Sequence, residues 1–184
     1  MSSNGRCIRK LACYFIVGVA SLSATAQKSG PPQENSPCRR FVQEFYDWYV
    51  PFTQKNMNGP TFDTALKRKP TVFSPTLLRA LKADSEAQAR AQEIVGIDFD
   101  PFVSSQDPAD HYDARQARIK NDKCYVEVWR DSARDTSAKT GMPDVIAELR
   151  KRAGKWQFVN FRYPDLKSDL MTALAGLRKQ RSKP

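Results

Sequence analysis

The chain has 184 residues, 40% of them hydrophobic, with 30 Lys and Arg against 20 Asp and Glu for a net charge of +10. That length suits one domain rather than two, and that apolar content excludes an intrinsically disordered chain. The positive charge asks for anionic partners, and the N-terminus narrows which ones.

"MSSNGRCIRK" carries Arg6, Arg9 and Lys10 and no acid; "LACYFIVGVASL" is an apolar run; Ala24-Thr25-Ala26 then offers small residues in an A-x-A arrangement. These are the three parts of a secretory signal peptide, residues 1–26, with cleavage expected after Ala26. The product has 158 residues, 184 less the first 26, and is expected in the periplasm or secreted. The apolar run is too short for a comfortable membrane span, and no other segment supplies a transmembrane helix after cleavage. An uncleaved anchor is the competing reading. A lipid-modified Cys belongs at the end of such a run, whereas Cys13 opens it, which argues against lipidation. Losing Arg6, Arg9 and Lys10 leaves 27 cations against 20 acids, or +7. In that compartment nucleic acid is not an expected partner. The charge fits a protein partner, an anionic envelope component, or simply a solvated surface. Cys38 and Cys124 remain as an even pair in an oxidising compartment. They form either a disulfide or two buried thiols.

Residues 27–37, "QKSGPPQENSP", have the composition of a flexible leader. Ser36-Pro37 reads as an N-cap and first-turn proline. Phe41, Phe45, Tyr49 and Phe52 follow at spacings of four, four and three, with Val42 and Tyr46 beside them. This stripe predicts a helix, ended or kinked at Pro51. Such an aromatic face is either core or the wall of a ligand cavity. "KRKP" reads as a basic turn. Ser74-Pro75 repeats the cap, and Leu77, Leu78, Leu81, Ala91, Ile94 and Val95 predict a second helix closed by Gly96.

After residue 107 the period becomes alternating. "KCYVEVWR" puts Cys124, Val126 and Val128 on one face and Tyr125, Glu127 and Trp129 on the other. Asn121-Asp122 predicts a hairpin with residues 111–119. "DVIAELRKR" and "KWQFVNFRY" form two more strands around Ala153-Gly154-Lys155. Pro164-Asp165 ends the sheet. A final helix carries Leu166, Leu170, Leu174 and Leu177 on one face. Helices, then antiparallel strands, then a helix make an α+β fold. The single domain is expected over residues 38–177, with a basic tail at 178–184 whose Arg178, Lys179, Arg181 and Lys183 form a solvated helix end or meet an anionic surface.

Three stretches carry a resemblance: "FVQEFYDWY", "DFDPFVSSQD", and "KWQFVNFRYPD" with the leucines after it. Together they resemble a bacterial domain-of-unknown-function family of exported proteins and envelope lipoproteins. That family is similar in fold to the nuclear-transport-factor-like, or ketosteroid-isomerase-like, cone. Asp100, Pro101, Phe102, Gln106 and Asp107 are the most specific part of the match. The resemblance implies a cone-like curved antiparallel sheet packed against N-terminal helices, over roughly residues 38–175. It implies no reaction, because such folds host enzymes, binders and scaffolds.

Asp98 and Asp100 have the spacing that opens a calcium loop. The fifth, sixth and twelfth positions are Phe102, Val103 and Ala109, which supply none of the required donors or the glycine. No metal or cofactor is expected. Cone enzymes similar to ketosteroid isomerase place an Asp base and a Tyr in an apolar cavity, and Asp98, Asp100, Asp107 and Tyr112 are the catalytic candidates of that type. A Ser-His-Asp triad has only His111 to use, and no G-x-S-x-G element is present. The competing reading is structural: Phe99 and Phe102 anchor the loop, Asp100-Pro101 sets a turn, and Gln106 and Asp107 satisfy donors where the sheet begins. The favoured function is an exported non-catalytic binding module for a protein partner or small apolar ligand, with Phe41, Phe45, Tyr49, Trp129 and Gln106 as binding candidates. One form of it is an immunity-type inhibitor of a cell-wall-targeting toxin. The alternative is a small cone-type hydrolase or isomerase using a cavity Asp.

Overall fold

The computed structural model describes residues 36–55, 61–131 and 141–182. The signal-peptide reading and nearly all of the leader lie outside these residues. The elements run α1 (Pro37–Lys55), α2 (Thr61–Arg68), a 3-10 turn (Pro70–Val72), α3 (Pro75–Arg90), β1 (Tyr112–Lys120), β2 (Lys123–Arg130), β3 (Val145–Arg152), β4 (Lys155–Tyr163), β5 (Ser168–Asp169) and α4 (Leu170–Arg181). The five strands form one antiparallel sheet in chain order. The expected α+β arrangement is therefore present: N-terminal helices, a curved sheet and a C-terminal helix.

Both capping serines act as the sequence predicts. Ser36 Oγ accepts from Arg39 N–H and Ser74 Oγ from Leu77 N–H, each at 3.3 Å. Cys38 and Cys124 form a disulfide that fastens α1 to β2. It spans 86 residues of sequence, so in the chain-entropy picture it contributes about 4–5 kcal/mol by restricting the unfolded chain. Pro51 does not end α1, which continues to Lys55. The sequence pattern does not predict α2, although Phe62, Ala65 and Leu66, all buried, have helical spacing. Eight residues are too few for a periodic signal to stand out.

α3 stops at Arg90 rather than at Gly96. The glycine serves a different purpose: a Cβ there would meet Asp84 Oδ2 at 2.9 Å and the Gln88 side chain at 3.2 Å. Those side chains bind the loop after the helix. Gln88 Oε1 accepts from Val95 N–H and Gly96 N–H, and Asp84 Oδ2 accepts from Ile97 N–H, all at 2.9 Å. α4 likewise begins at Leu170, not near 165, because Asp169 caps it through Thr172 N–H after pairing in β5. Leu166 is consequently exposed.

Two register shifts, between Ala114 and Ala117 and next to Glu148, bend β1 and β4, as bulges do. The β3–β4 turn places Ala153 and Gly154 at positive φ, 48° and 77°, the left-handed pair that a two-residue hairpin requires. Both open edges of the sheet, β1 and the part of β4 that the two-residue β5 leaves unpaired, are guarded against further pairing. Gln43 and Arg39 of α1 bond the backbone of Tyr112 and Ala114 on β1. On β4, Ser74 N–H donates to Phe158 O and Gln157 Nε2 to Thr71 O. Among the described residues, no helix is long and apolar enough to cross a membrane.

Candidate functional site

The inner face of the sheet presents Cys124, Val126, Val128, Val145, Ala147, Leu149, Phe158 and Phe161, all fully buried. α1 lays its stripe on it. Phe45 packs against Phe158 with ring centroids 4.9 Å apart, stacks on Tyr49 at 5.4 Å, and meets Phe73 and Phe102 edge-on. Phe41 lies 5.2 Å from Phe158. Phe102 stacks on Phe73 and reaches Phe161. These rings pack against one another between α1, the sheet and the loop at Phe102.

The loop from Asp98 to Asp107 is clamped by three tyrosines from two elements, α1 and β4. Tyr49 OH donates to Asp100 Oδ2, Tyr46 OH to Phe102 O and Tyr163 OH to Pro101 O. Asp100 Oδ1 also accepts from Phe102 N–H at 2.9 Å, closing the local turn that an Asp-Pro pair favours. Pro101, Phe102 and Val103 are buried as a plug. Burial is the first cause that pushes the phenols of Tyr46 and Tyr163 well above their ordinary value. Tyr112 is raised by the same cause to about 12, although its oxygen also accepts Ala109 N–H. All three are neutral donors or acceptors near neutral pH.

The other loop candidates face outward. Asp98 and Gln106 are exposed, and Gln106 Nε2 donates to Asp98 O at 3.1 Å. Asp107 is exposed and bonds Ser105 through its backbone. His111 pairs with Asp113 at 3.1 Å on the surface. The structure thus brings Asp100 and Tyr49 into direct contact and leaves Asp98 and Asp107 on the surface, while Tyr112 is buried with its ring 5.8 Å from that of Tyr46. Among the described residues no group of three or more His, Cys, Asp or Glu is placed to hold a metal ion.

Trp129 does not join Phe41, Phe45 and Tyr49. The alternation of β2 puts it on the outer face of the sheet with Tyr125 and Glu127. Its Nε1 donates to Glu127 Oε2 at 3.4 Å, and the Arg115 guanidinium lies 5.0 Å from its ring centre. Arg162 similarly covers Tyr125 at 5.2 Å. Between them Glu148 is only 2% exposed. Lys123 Nζ bonds its Oε1, and Arg162 donates to its Oε2 from Nε at 3.0 Å and Nη2 at 2.9 Å. The hydrogen bonds to Glu148 raise the Arg162 pKa and keep the guanidinium charged. Glu148 was not singled out from sequence. Its alternation places it on the outer face, but its burial depends on Lys123 and Arg162, which sit diagonally across two strand pairs.

No protein-family model and no curated protein matches the chain. A chain from the crystal structure of the type VI native effector–immunity complex Tae3–Tai3 from Ralstonia pickettii is similar in fold, with a TM-score of 0.47 and 19% identity, covering 71% of this chain and 96% of that one.

Proposed function

We propose that this protein is an exported, non-catalytic binding module that acts on a protein partner through the outer face of its sheet. The observation that carries this reading is how its two faces are used. On the inner side the aromatic rings pack on one another and Asp100 is engaged by Tyr49 and by Phe102 N–H. That disfavours both an apolar ligand among Phe41, Phe45 and Tyr49 and a cavity Asp acting as base. The outer side presents Tyr125, Trp129, Arg115 and Arg162, residue types enriched where protein interfaces concentrate their binding energy.

The same proposal includes cleavage of residues 1–26 after Ala26, a periplasmic or secreted location, and the cone-like family reading of residues 38–177. The Cys38–Cys124 disulfide fits an oxidising compartment. Its finer form is an immunity-type inhibitor of a cell-wall-targeting toxin. Small size, an export-type N-terminus and a charged, aromatic face suit a protein that must meet a toxin outside the cytoplasm.

Residues 27–184, immobilised and exposed to bacterial envelope extract, should retain a stoichiometric protein partner. Calorimetry with that partner purified should give nanomolar affinity, and the complex should suppress release of peptidoglycan fragments. Trp129→Ala or Arg115→Ala should weaken it at least tenfold, about 1.4 kcal/mol. The proposal fails if no partner is retained and a co-purified small molecule is instead converted by the protein and spared by Asp100→Asn.

A further inference from the structure

A second surface, formed by helices rather than strands, carries an inference of its own. α3 and α4 border an open groove of about 1150 Å3. Its floor is aliphatic. Ala80, Ala83 and Ala87 line one side at spacings of three and four, and Met171, Leu174 and Ala175 line the other. Ala83 and Ala175 are exposed and Ala80 and Ala87 half-buried, so small side chains keep a solvent-facing channel between the two helices. Its rim is cationic. Arg79, Lys82 and Arg90 stand on α3, Arg178 and Lys179 on α4, all exposed, against Glu86 as the acid of the lining. Among the described residues none of those five cations has an ion-pair partner.

The walls are held in place. Asp84, 2% exposed within α3, accepts from Arg181 Nη1 of α4 at 2.7 Å, and the same nitrogen donates to Val95 O at 2.7 Å. This latch joins the C-terminal half of α3 and the C-terminal end of α4 to the loop that follows α3. The groove is therefore set before anything enters it, which lowers the ordering cost of binding.

We propose that this groove docks an acidic amphipathic helix of a protein partner. Three observations select that occupant. The groove is somewhat larger than the roughly 300–1000 Å3 of small-molecule pockets and is open to solvent. Its walls are helices whose backbone groups are bonded internally, so they offer no ladder to an extended peptide, whereas a helix satisfies its own backbone. The aliphatic floor accepts apolar residues at i, i+3, i+4 and i+7 while the cationic rim pairs with carboxylates beside them. A floor without aromatic rings gives nucleobases nothing to stack on.

The full chain, titrated with a fluorescein-labelled synthetic helix carrying Leu at those four positions and Glu elsewhere, should raise fluorescence anisotropy saturably. The same helix with Lys in place of Glu should not bind. Ala83→Trp, which fills the floor without changing charge, and the pair Arg79→Glu with Arg178→Glu should each weaken binding at least tenfold. Circular dichroism checks that these surface variants remain folded. Trp129→Ala should leave the affinity unchanged, which separates this groove from the sheet face. Undiminished binding in both groove variants overturns the proposal. So does a loss caused by Trp129→Ala, or a preference for phosphatidylglycerol vesicles over the peptide.

Discussion

The two faces of one sheet bury their residues by different means. On the inner face burial follows from apolar area alone: Val126, Ala147 and Phe158 are fully covered and need no polar partner. On the outer face Glu148 is nearly as buried, but only with two cations bonded to it and Tyr125 opposite it in register. A carboxylate taken out of water needs opposite charge and hydrogen bonds to offset its lost hydration. The inner face thus supplies cohesion, while the outer face spends its charges on one another and still shows aromatic surface.

High pH should damage the inner face most severely. Tyr46, Tyr112 and Tyr163 are buried, and burial raises their pKa values, that of Tyr112 to about 12. Folded values above the unfolded value mean that the native state holds its phenolic protons longer. Their contribution is fully present below about pH 10 and is lost as pH rises through the folded values. Circular dichroism and tyrosinate absorbance should change together above about pH 10, with the loop and inner face failing as one unit. Early, graded ionisation of these tyrosines in a folded protein would show that the inner face is open to solvent.

Phe102→Ala should be the most damaging single substitution, lowering stability by about 3–5 kcal/mol in urea unfolding. It removes a fully buried ring that contacts Phe45, Tyr49, Phe73 and Phe161. Glu148→Ala should cost less, about 2–3 kcal/mol, because Lys123 and Arg162 remain partly exposed and regain water. Glu148→Met sharpens the point. If the outer carboxylate is merely tolerated, an apolar residue of similar size should recover much of that loss in the same unfolding assay. Asp100→Ala should cost about 1–2 kcal/mol, through the lost turn bond to Phe102 N–H and the lost contact with Tyr49. Trp129→Ala should change stability by about 1 kcal/mol or less, measured as a small shift in Tm, and show its effect in partner affinity instead.

The helix stripe, the strand alternation and both serine caps were legible in sequence because each is local. Phe41 to Phe52 repeat with the period of a helix, and Cys124 to Trp129 alternate with the period of a strand. The alternation also separates Trp129 from Val126 and Val128, but grouping it with Phe41, Phe45 and Tyr49 needed a shared face that β2 does not provide. The loop at Asp100 was legible as a turn. Its three tyrosine clamps were not, since they come from residues 46, 49 and 163, brought together only by packing α1 against the sheet.

Sequence by itself determined the types of the longer elements, the faces of the strands, the α+β order and the eligibility of Cys38 and Cys124 as a pair. These depend on side-chain periodicity and composition over a few residues. Only the tertiary structure decided that the two sulfurs meet, that Glu148 is buried on the outer face, and that Asp84 and Arg181, 97 residues apart, latch α3 to α4. Those outcomes depend on strand register, bulge position and helix packing. Such quantities are fixed by many weak contacts at once, and no short stretch of the chain records them.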